Sequence, residues 1–405
     1  MFAIFLYQFV YIMAFTRPSK KIQEFLNTNI SLPAFHLTEK SKPLLNQLYK
    51  HAQNALLIEP NYTIIETQIQ PNAEFPKSSN YNYLSNNIKR ELNKLHKHVI
   101  ETKMTVGLRI YTFFFVFPHG SKNIALLSEY MKKIHTWLYI ASQYAEPRCS
   151  NTVNVYLYLT ELKKTLPTKM GEPIDEIHVN TAFTSSCSKS TEITLYRIEE
   201  WFKVFIHESF HNLGLDFSEK FEQNKNARQE ILSIFPIKTE CRLYETYCEM
   251  WAELINIILI NVDSKKTFAL SNIERDIQYE RKFSLFQTAK ILDHYDLNYT
   301  ELFEKSPEAE KLRKNYQEKT EIFCYFILKT ILMYNCNNFI EWVNLNCDGI
   351  RFTPDNVEKY VKDLIIPKYN EIKYINTLDK IQTYFDKQQT SFIGTNLRMT
   401  ALELA

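Results

Sequence analysis

The rhythm of apolar and polar positions changes near residue 104. Residues 20–100 are polar and read as helical, interrupted near Pro71–Asn80 by a loop rich in Asn, Ser and Pro. Lys89–Lys103 reads as a basic helical stretch. Its His96 and His98 are two apart, so they face different ways on a helix and are expected on a solvated face, not as a metal pair. Met104–Phe117 is β-branched and aromatic and ends at Pro118, which predicts a buried strand. Ser121 is placed to cap a helix over Asn123–Ser142, with Ile124, Leu127, Met131, Ile134 and Leu138 on one face. In Asn151–Thr160, Val153, Val155, Leu157 and Leu159 alternate with Asn154, Tyr156 and Tyr158, the pattern of a half-buried strand. Ile177–Thr184 and Glu192–Tyr196 predict two more short strands around the polar run Ser185–Ser190.

Ile198–Leu213 is an amphipathic helical pattern, and Gly214 stands where a helix would stop. Helices follow over Leu243–Asn261, Asn272–His294 and Glu308–Tyr334, with fainter patterns at Asn337–Asn344 and Asn356–Ile366. The predicted class is α+β. A helical region spans 1–103, a core of small mixed sheet, helix and helical lobe spans 104–262, and a helical region spans 263–405. The terminal stretch Asn396–Thr400 is expected to dock on the core.

Composition narrows the chemistry. With 405 residues, 45% of them hydrophobic and 23% charged, the chain buries a sizeable core. Lys+Arg 48 against Asp+Glu 46 leaves a formal charge of +2, which gives no reason to expect a nucleic acid. The six glycines, Gly107, Gly120, Gly171, Gly214, Gly349 and Gly394, are far apart, so phosphate-cradling glycine loops and a serine elbow are excluded. Heavy use of Asn, Lys, Ile, Tyr and Phe resembles translation of an AT-rich genome, as in some large DNA viruses or protists.

Seven cysteines without a C-x-x-C predict reduced thiols and an intracellular setting, host cytoplasm or virion for a viral chain. The apolar first fifteen residues lack a preceding basic region and are shorter than the ~20 residues of a spanning helix. A buried helix or an extension ahead of Met13 is expected in preference to a membrane anchor, and no stable membrane insertion is expected.

The residues that carry chemistry are His207-Glu208-Ser209-Phe210-His211, an H-E-x-x-H on the predicted helix. Positions i and i+4 share a face, so both imidazoles can reach one Zn²⁺. Glu208 is rotated by one residue and can address a metal-activated water as general base. A third ligand is needed. The continuation to Phe217 follows the H-E-x-x-H-x-x-G-x-x-H run of metzincins with Gly214 in register. Phe217 cannot ligate, however, and Asp216 is one residue early. Downstream, Glu245, Glu249 and Glu253 recur at i, i+4 and i+8 on one face of an otherwise apolar helix, where carboxylates need a partner. Tyr244, Tyr247, Arg242 and His294 are the candidates to stabilise the oxyanion.

At this point the chain resembles the zincin metallopeptidases, and among them the gluzincins, which join H-E-x-x-H to an E-x-x-A-E on a later helix. Glu249-Met250-Trp251-Ala252-Glu253 fits that form. The resemblance covers roughly residues 104–262 and implies a zincin-like core and a zinc metalloendopeptidase acting on a peptide or protein substrate. It makes His207, His211 and Glu249 the zinc ligands and Glu208 the base. It makes Glu253 an acceptor behind a ligand histidine, leaving Asp216 and Glu245 as alternatives. It also makes Ile177–Thr184 an edge strand for an extended peptide. An inactive zincin-fold structural or interaction protein, of a virus for instance, is the alternative.

Overall fold

Residues 14–70, 73–94, 97–118, 124–263, 267–385 and 391–405 are described by a computed structural model. Among them the strands β1 (Tyr62–Ile69), β2 (Lys97–Val106), β3 (Arg109–Pro118), β4 (Thr152–Tyr158), β5 (Ala182–Thr184) and β6 (Ser190–Leu195) form one sheet in the order β1-β2-β3-β4-β6-β5. β1, β2 and β3 are an antiparallel meander, β4 and β6 lie parallel to β3, and β5 is an antiparallel edge. The parallel step from β3 to β4 needs a crossover, which the helix α1 (Ile124–Ser142) provides. The class is therefore α+β, as the alternation of patterns predicted.

Five local expectations change. The single strand over Met104–Phe117 is instead the hairpin β2–β3. Gly107, at φ +58, and Leu108 form its two-residue turn, with Val106 opposite Arg109. The region before residue 104 is not all helical, because β1 and much of β2 lie there. β1 exposes most of its side chains, so backbone pairing with β2, not an apolar rhythm, makes it a strand. His98 lies on β2, buried, with its Nε2 3.1 Å from Glu66, so it is not on a solvated face. Ile177–Thr184 is a turn of helix, Glu176–Val179, begun at Asp175, followed by the short β5. Glu308–Tyr334 breaks into Pro307–Arg313 and a π-helical turn, Phe323–Leu328, that runs into Lys329–Tyr334. Between them Glu318 bridges to Ile174, and the Lys319 N–H donates to the Ile174 carbonyl at 2.9 Å. The opening run to Met13, His96, Gly120 and Ser121 lie outside the described residues.

Both faces of the sheet are covered. Tyr111, Phe113, Phe115, Val153, Val155, Leu157, Ile193 and Leu195 face a large core that runs in sequence from Ile22 to Leu402. The other face carries Val116, Tyr156, Tyr158 and Tyr196 under Phe75, Tyr81, Leu84 and Ile88, so the alternating tyrosines of β4 are buried too. Cys149 and Cys187 form a disulfide, which corrects the expectation that all thiols are reduced. Their turns are held side by side, with the Ser150 N–H donating to the Ser188 carbonyl. Cys241, Cys248, Cys324, Cys336 and Cys347 are free. No described helix is long and apolar enough to cross a membrane.

Candidate metal centre

Two helices build the site. α2 (Trp201–Asn212) carries His207, Glu208 and His211, and α3 (Leu243–Asn261) lies against it. Phe205, Ile206 and Phe210 turn α2 into the core beneath the sheet, which leaves the histidine face toward α3 and a cleft. Gly214, at φ +65, ends α2. A Cβ there would stand 2.8 Å from Cys149 Sγ and 2.9 Å from Glu146 Cβ, so only glycine fits. The start of α2 is fixed from elsewhere. Glu200, at φ +59, accepts the Met399 and Thr400 N–H groups at 2.9 and 2.7 Å and pairs with buried Lys164 at 2.7 Å. The buried tail thus meets the start of the helix that carries both histidines.

Three donor atoms converge. His207 Nε2 and His211 Nε2 are 3.3 Å apart, and Glu245 Oε2 lies 2.9 Å from the first and 3.4 Å from the second. Ligands held at zinc distances of ~2.0–2.1 Å on a tetrahedron are separated by ~3.3 Å along each edge. The donor set and its spacing therefore fit a zinc ion. Each imidazole is also held from behind. His207 Nδ1 is 2.9 Å from Glu249 Oε2, and His211 Nδ1 is 2.5 Å from Asp216 Oδ2. A carboxylate on Nδ1 fixes the ring and directs the Nε2 lone pair forward. Asp216 is steadied in turn by the N–H and hydroxyl of Ser218 at 3.2 and 2.8 Å, and the Cys248 thiol lies 3.4 Å from it.

This geometry rearranges the expected third arm. Glu249 sits behind His207 and forms an ion pair with Lys203. The oxygen in coordination reach of both rings is that of Glu245, one helical turn earlier. Glu253, one turn later, meets no histidine; it pairs with Lys329 at 2.7 Å. The three carboxylates do share a face of α3, but the axes of α2 and α3 decide which one reaches the front nitrogens. Asp216 takes the place behind His211, and with His211 and Cys248 it forms a second group of buried donor atoms within metal-binding reach of one another.

The electrostatics follow. Burial opposes the charged form of Glu245, but His211 and His207 outweigh it and hold its carboxyl well below the usual range. Burial likewise opposes Glu249, and Lys203 and His207 hold it low. Burial opposes the charged rings of both histidines, yet Glu245 and Glu249 raise His207, and Cys248, Glu245 and Asp216 raise His211. Glu208 differs from its neighbours. Burial raises its pKa, His207 and His211 only partly offset that, and its carboxylate faces the cleft.

The cleft has a volume of about 650 Å³, and Phe183 and Thr184 of edge strand β5 line one side. Tyr244 lines it as well, its ring edge-on to His211 at 5.7 Å. Tyr247 does not: it is fully buried, and its hydroxyl donates to the Ile350 carbonyl at 2.9 Å. It is therefore not an oxyanion donor. His294 is spent on the Glu172 carbonyl at 2.8 Å. Arg242 lines the cleft but is paired with Glu240 and Glu321. The residue that sequence reading missed is Tyr325, on the π-helical turn, edge-on to His207 at 5.9 Å and in the cleft wall. No spacing relates it to the H-E-x-x-H. Lys203, hidden in the motif helix as an apparent surface lysine, was also missed.

No known protein family, curated protein or solved structure matches the chain.

Proposed function

We propose that this chain is a zinc-dependent metallopeptidase of zincin type, with His207, His211 and Glu245 holding the metal and Glu208 as general base. The observation that carries the reading is the triangle of His207 Nε2, His211 Nε2 and Glu245 Oε2, with edges of 3.3, 3.4 and 2.9 Å beside an open cleft. Two imidazoles and a carboxylate suit zinc and leave the fourth position free, the pattern of a catalytic site rather than a structural one. A bound zinc supplies Lewis acidity to a carbonyl oxygen and lowers the pKa of water.

The rest falls to the chain. Glu208 lines the same cleft as the triangle, and its raised pKa suits a group that takes a proton from water and hands it to a leaving amine. Tyr325 and Tyr244 stand at the cleft wall where a hydroxyl can donate to the developing oxyanion. β5 leaves one edge unpaired among the described strands, and an extended peptide can pair with such an edge.

The test is the zinc-loaded protein and its Glu208→Gln variant on a mixed peptide library. The expected result is cleavage by the wild type, and full zinc occupancy with no cleavage by the variant. Zinc-loaded wild type that cleaves no better than the variant defeats the proposal and favours a non-catalytic binding protein.

A further inference from the structure

Beyond the cleft lies a second cavity of about 890 Å³. The two adjoin, sharing Lys238, Glu318 and Lys319 in their walls. Lysine is the commonest residue in the wall of the second one. Lys238, Lys305, Lys314 and Lys319 line it, all exposed. Lys238, Lys305 and Lys314 have no ion-pair partner among the described residues, and Lys319 only approaches Asp175, at 3.8 Å. Arg313, also in the wall, is occupied by the Glu301 and Glu304 carbonyls at 2.8 and 2.5 Å.

Two acidic residues stand against these. Glu318 accepts from the Tyr316 hydroxyl at 2.6 Å and the Phe323 N–H at 2.7 Å, and burial pushes its pKa up to about 7, so near neutral pH it is only partly ionised. Glu310 is exposed. A chain that is nearly neutral as a whole thus gathers unpaired cations in one groove at the end of its candidate active site.

The groove is also built on a fixed wall. Glu318 bridges to Ile174, and Tyr295 ties the same segments together, accepting from the Ile174 N–H at 3.0 Å and donating to the Gln317 carbonyl. The Thr320 hydroxyl donates to Asn180 at 3.1 Å, which fastens this wall to the segment leading into β5. The backbone that carries Lys319 is therefore held at a set position relative to the edge strand.

We propose that substrates of this site carry an acidic stretch to one side of the cleaved bond, and that this stretch lies in the lysine groove. The inference rests on the peptidase reading for its substrate class. Acidic polypeptide is favoured over nucleic acid because the groove continues a cleft lined by an edge strand, and because its cations form a short cluster, not a stripe along the surface. Several weak exposed pairs acting together give discrimination by charge and a salt-sensitive encounter.

The test uses the zinc-loaded full chain with Glu208→Gln, which binds without turning over, and fluorescence anisotropy with three labelled probes. These are a short neutral peptide flanked by Asp and Glu, the same peptide flanked by Lys, and a single-stranded oligonucleotide. The acidic peptide is expected to bind about tenfold more tightly than the basic one. The difference should vanish in molar salt, where the Debye length is ~3 Å, and in Lys305→Glu/Lys314→Glu, which alters exposed side chains only. Equal binding of the two peptides, an acid preference that survives the double variant, or tighter binding of the oligonucleotide each overturns the inference. Turnover of the same peptides by the chain with Glu208 intact separates the two proposals. Cleavage without acid preference defeats the groove alone, and acid-selective binding without cleavage defeats the peptidase reading alone.

Discussion

Glu249 and His207 meet at 2.9 Å on the ring nitrogen that points away from the cleft, Nδ1, while the carboxylate one helical turn earlier faces Nε2. The two glutamates therefore have different tasks. Replacing Glu245 by Ala is expected to abolish stoichiometric zinc. Replacing Glu249 by Gln is expected to leave zinc bound but ~10–100-fold more weakly. Elemental analysis with a competing chelator distinguishes them. Equal loss in both variants, or tight zinc in Glu245→Ala, would contradict the assignment.

Tyr325→Phe removes one hydroxyl from the cleft wall next to His207. If that hydroxyl donates to the oxyanion, kcat falls about a hundredfold with KM and zinc content little changed. The same change in Tyr244→Phe with none in Tyr325→Phe would transfer the role to Tyr244.

Lys203 is buried against Glu249, with Met399 Sδ 3.8 Å away. Burial opposes its charge, but Glu249 and Glu200 outweigh that and keep it protonated. Lys203→Met leaves the buried Glu249 carboxylate without its lysine and with only His207 against it, which costs about 3–5 kcal/mol. Thermal unfolding should register the loss, and Lys203→Arg should recover part of it. A Met variant as stable as the wild type would show that the pair contributes nothing.

Glu280 is fully buried, accepting from the Thr400 hydroxyl at 2.5 Å and the Ala401 N–H at 3.0 Å. Burial pushes its pKa up to about 7, with those two bonds opposing. The folded chain thus keeps a proton that the unfolded chain, with an ordinary value near 4.3, has already released. This contribution is present at low pH and disappears as pH rises from about 4.5 through 7. Its full size is on the order of 3–4 kcal/mol at ~1.4 kcal/mol per pKa unit. Burial raises Glu318 and Glu321 to about 7 as well, and they act in the same direction. Melting curves of wild type and Glu280→Gln across that range should converge at low pH and separate as pH rises, with the wild type the steeper. Parallel curves would refute the shift.

The Cys149–Cys187 disulfide holds the loop between β5 and β6, and Ser186 of that loop lines the cleft. Reduction, or Cys187→Ser, should raise KM for peptides more than it lowers kcat, and should cost about 2–4 kcal/mol of stability. Unchanged KM after verified reduction would show that the loop holds its place without the bond.

Much of this protein follows from local pattern. The i, i+4 histidines and the glycine three residues beyond them require only a helix and its end, so α2, its histidine face and its stop are legible in the sequence. So are α3, bounded as its apolar run predicts, and the crossover from a β-branched strand through a helix to an alternating one. The tertiary structure decided what depends on distance between segments. Three glutamates one turn apart look alike along α3. Only its axial position against α2 puts Glu245 at the front of the imidazoles, Glu249 behind one of them and Glu253 on Lys329. β1 has no apolar rhythm because it exposes most of its side chains, and Tyr325 and the C-terminal tail reach the site from more than a hundred residues away. Periodicity records which face of an element is buried, whereas the packing of remote segments fixes which atom meets which.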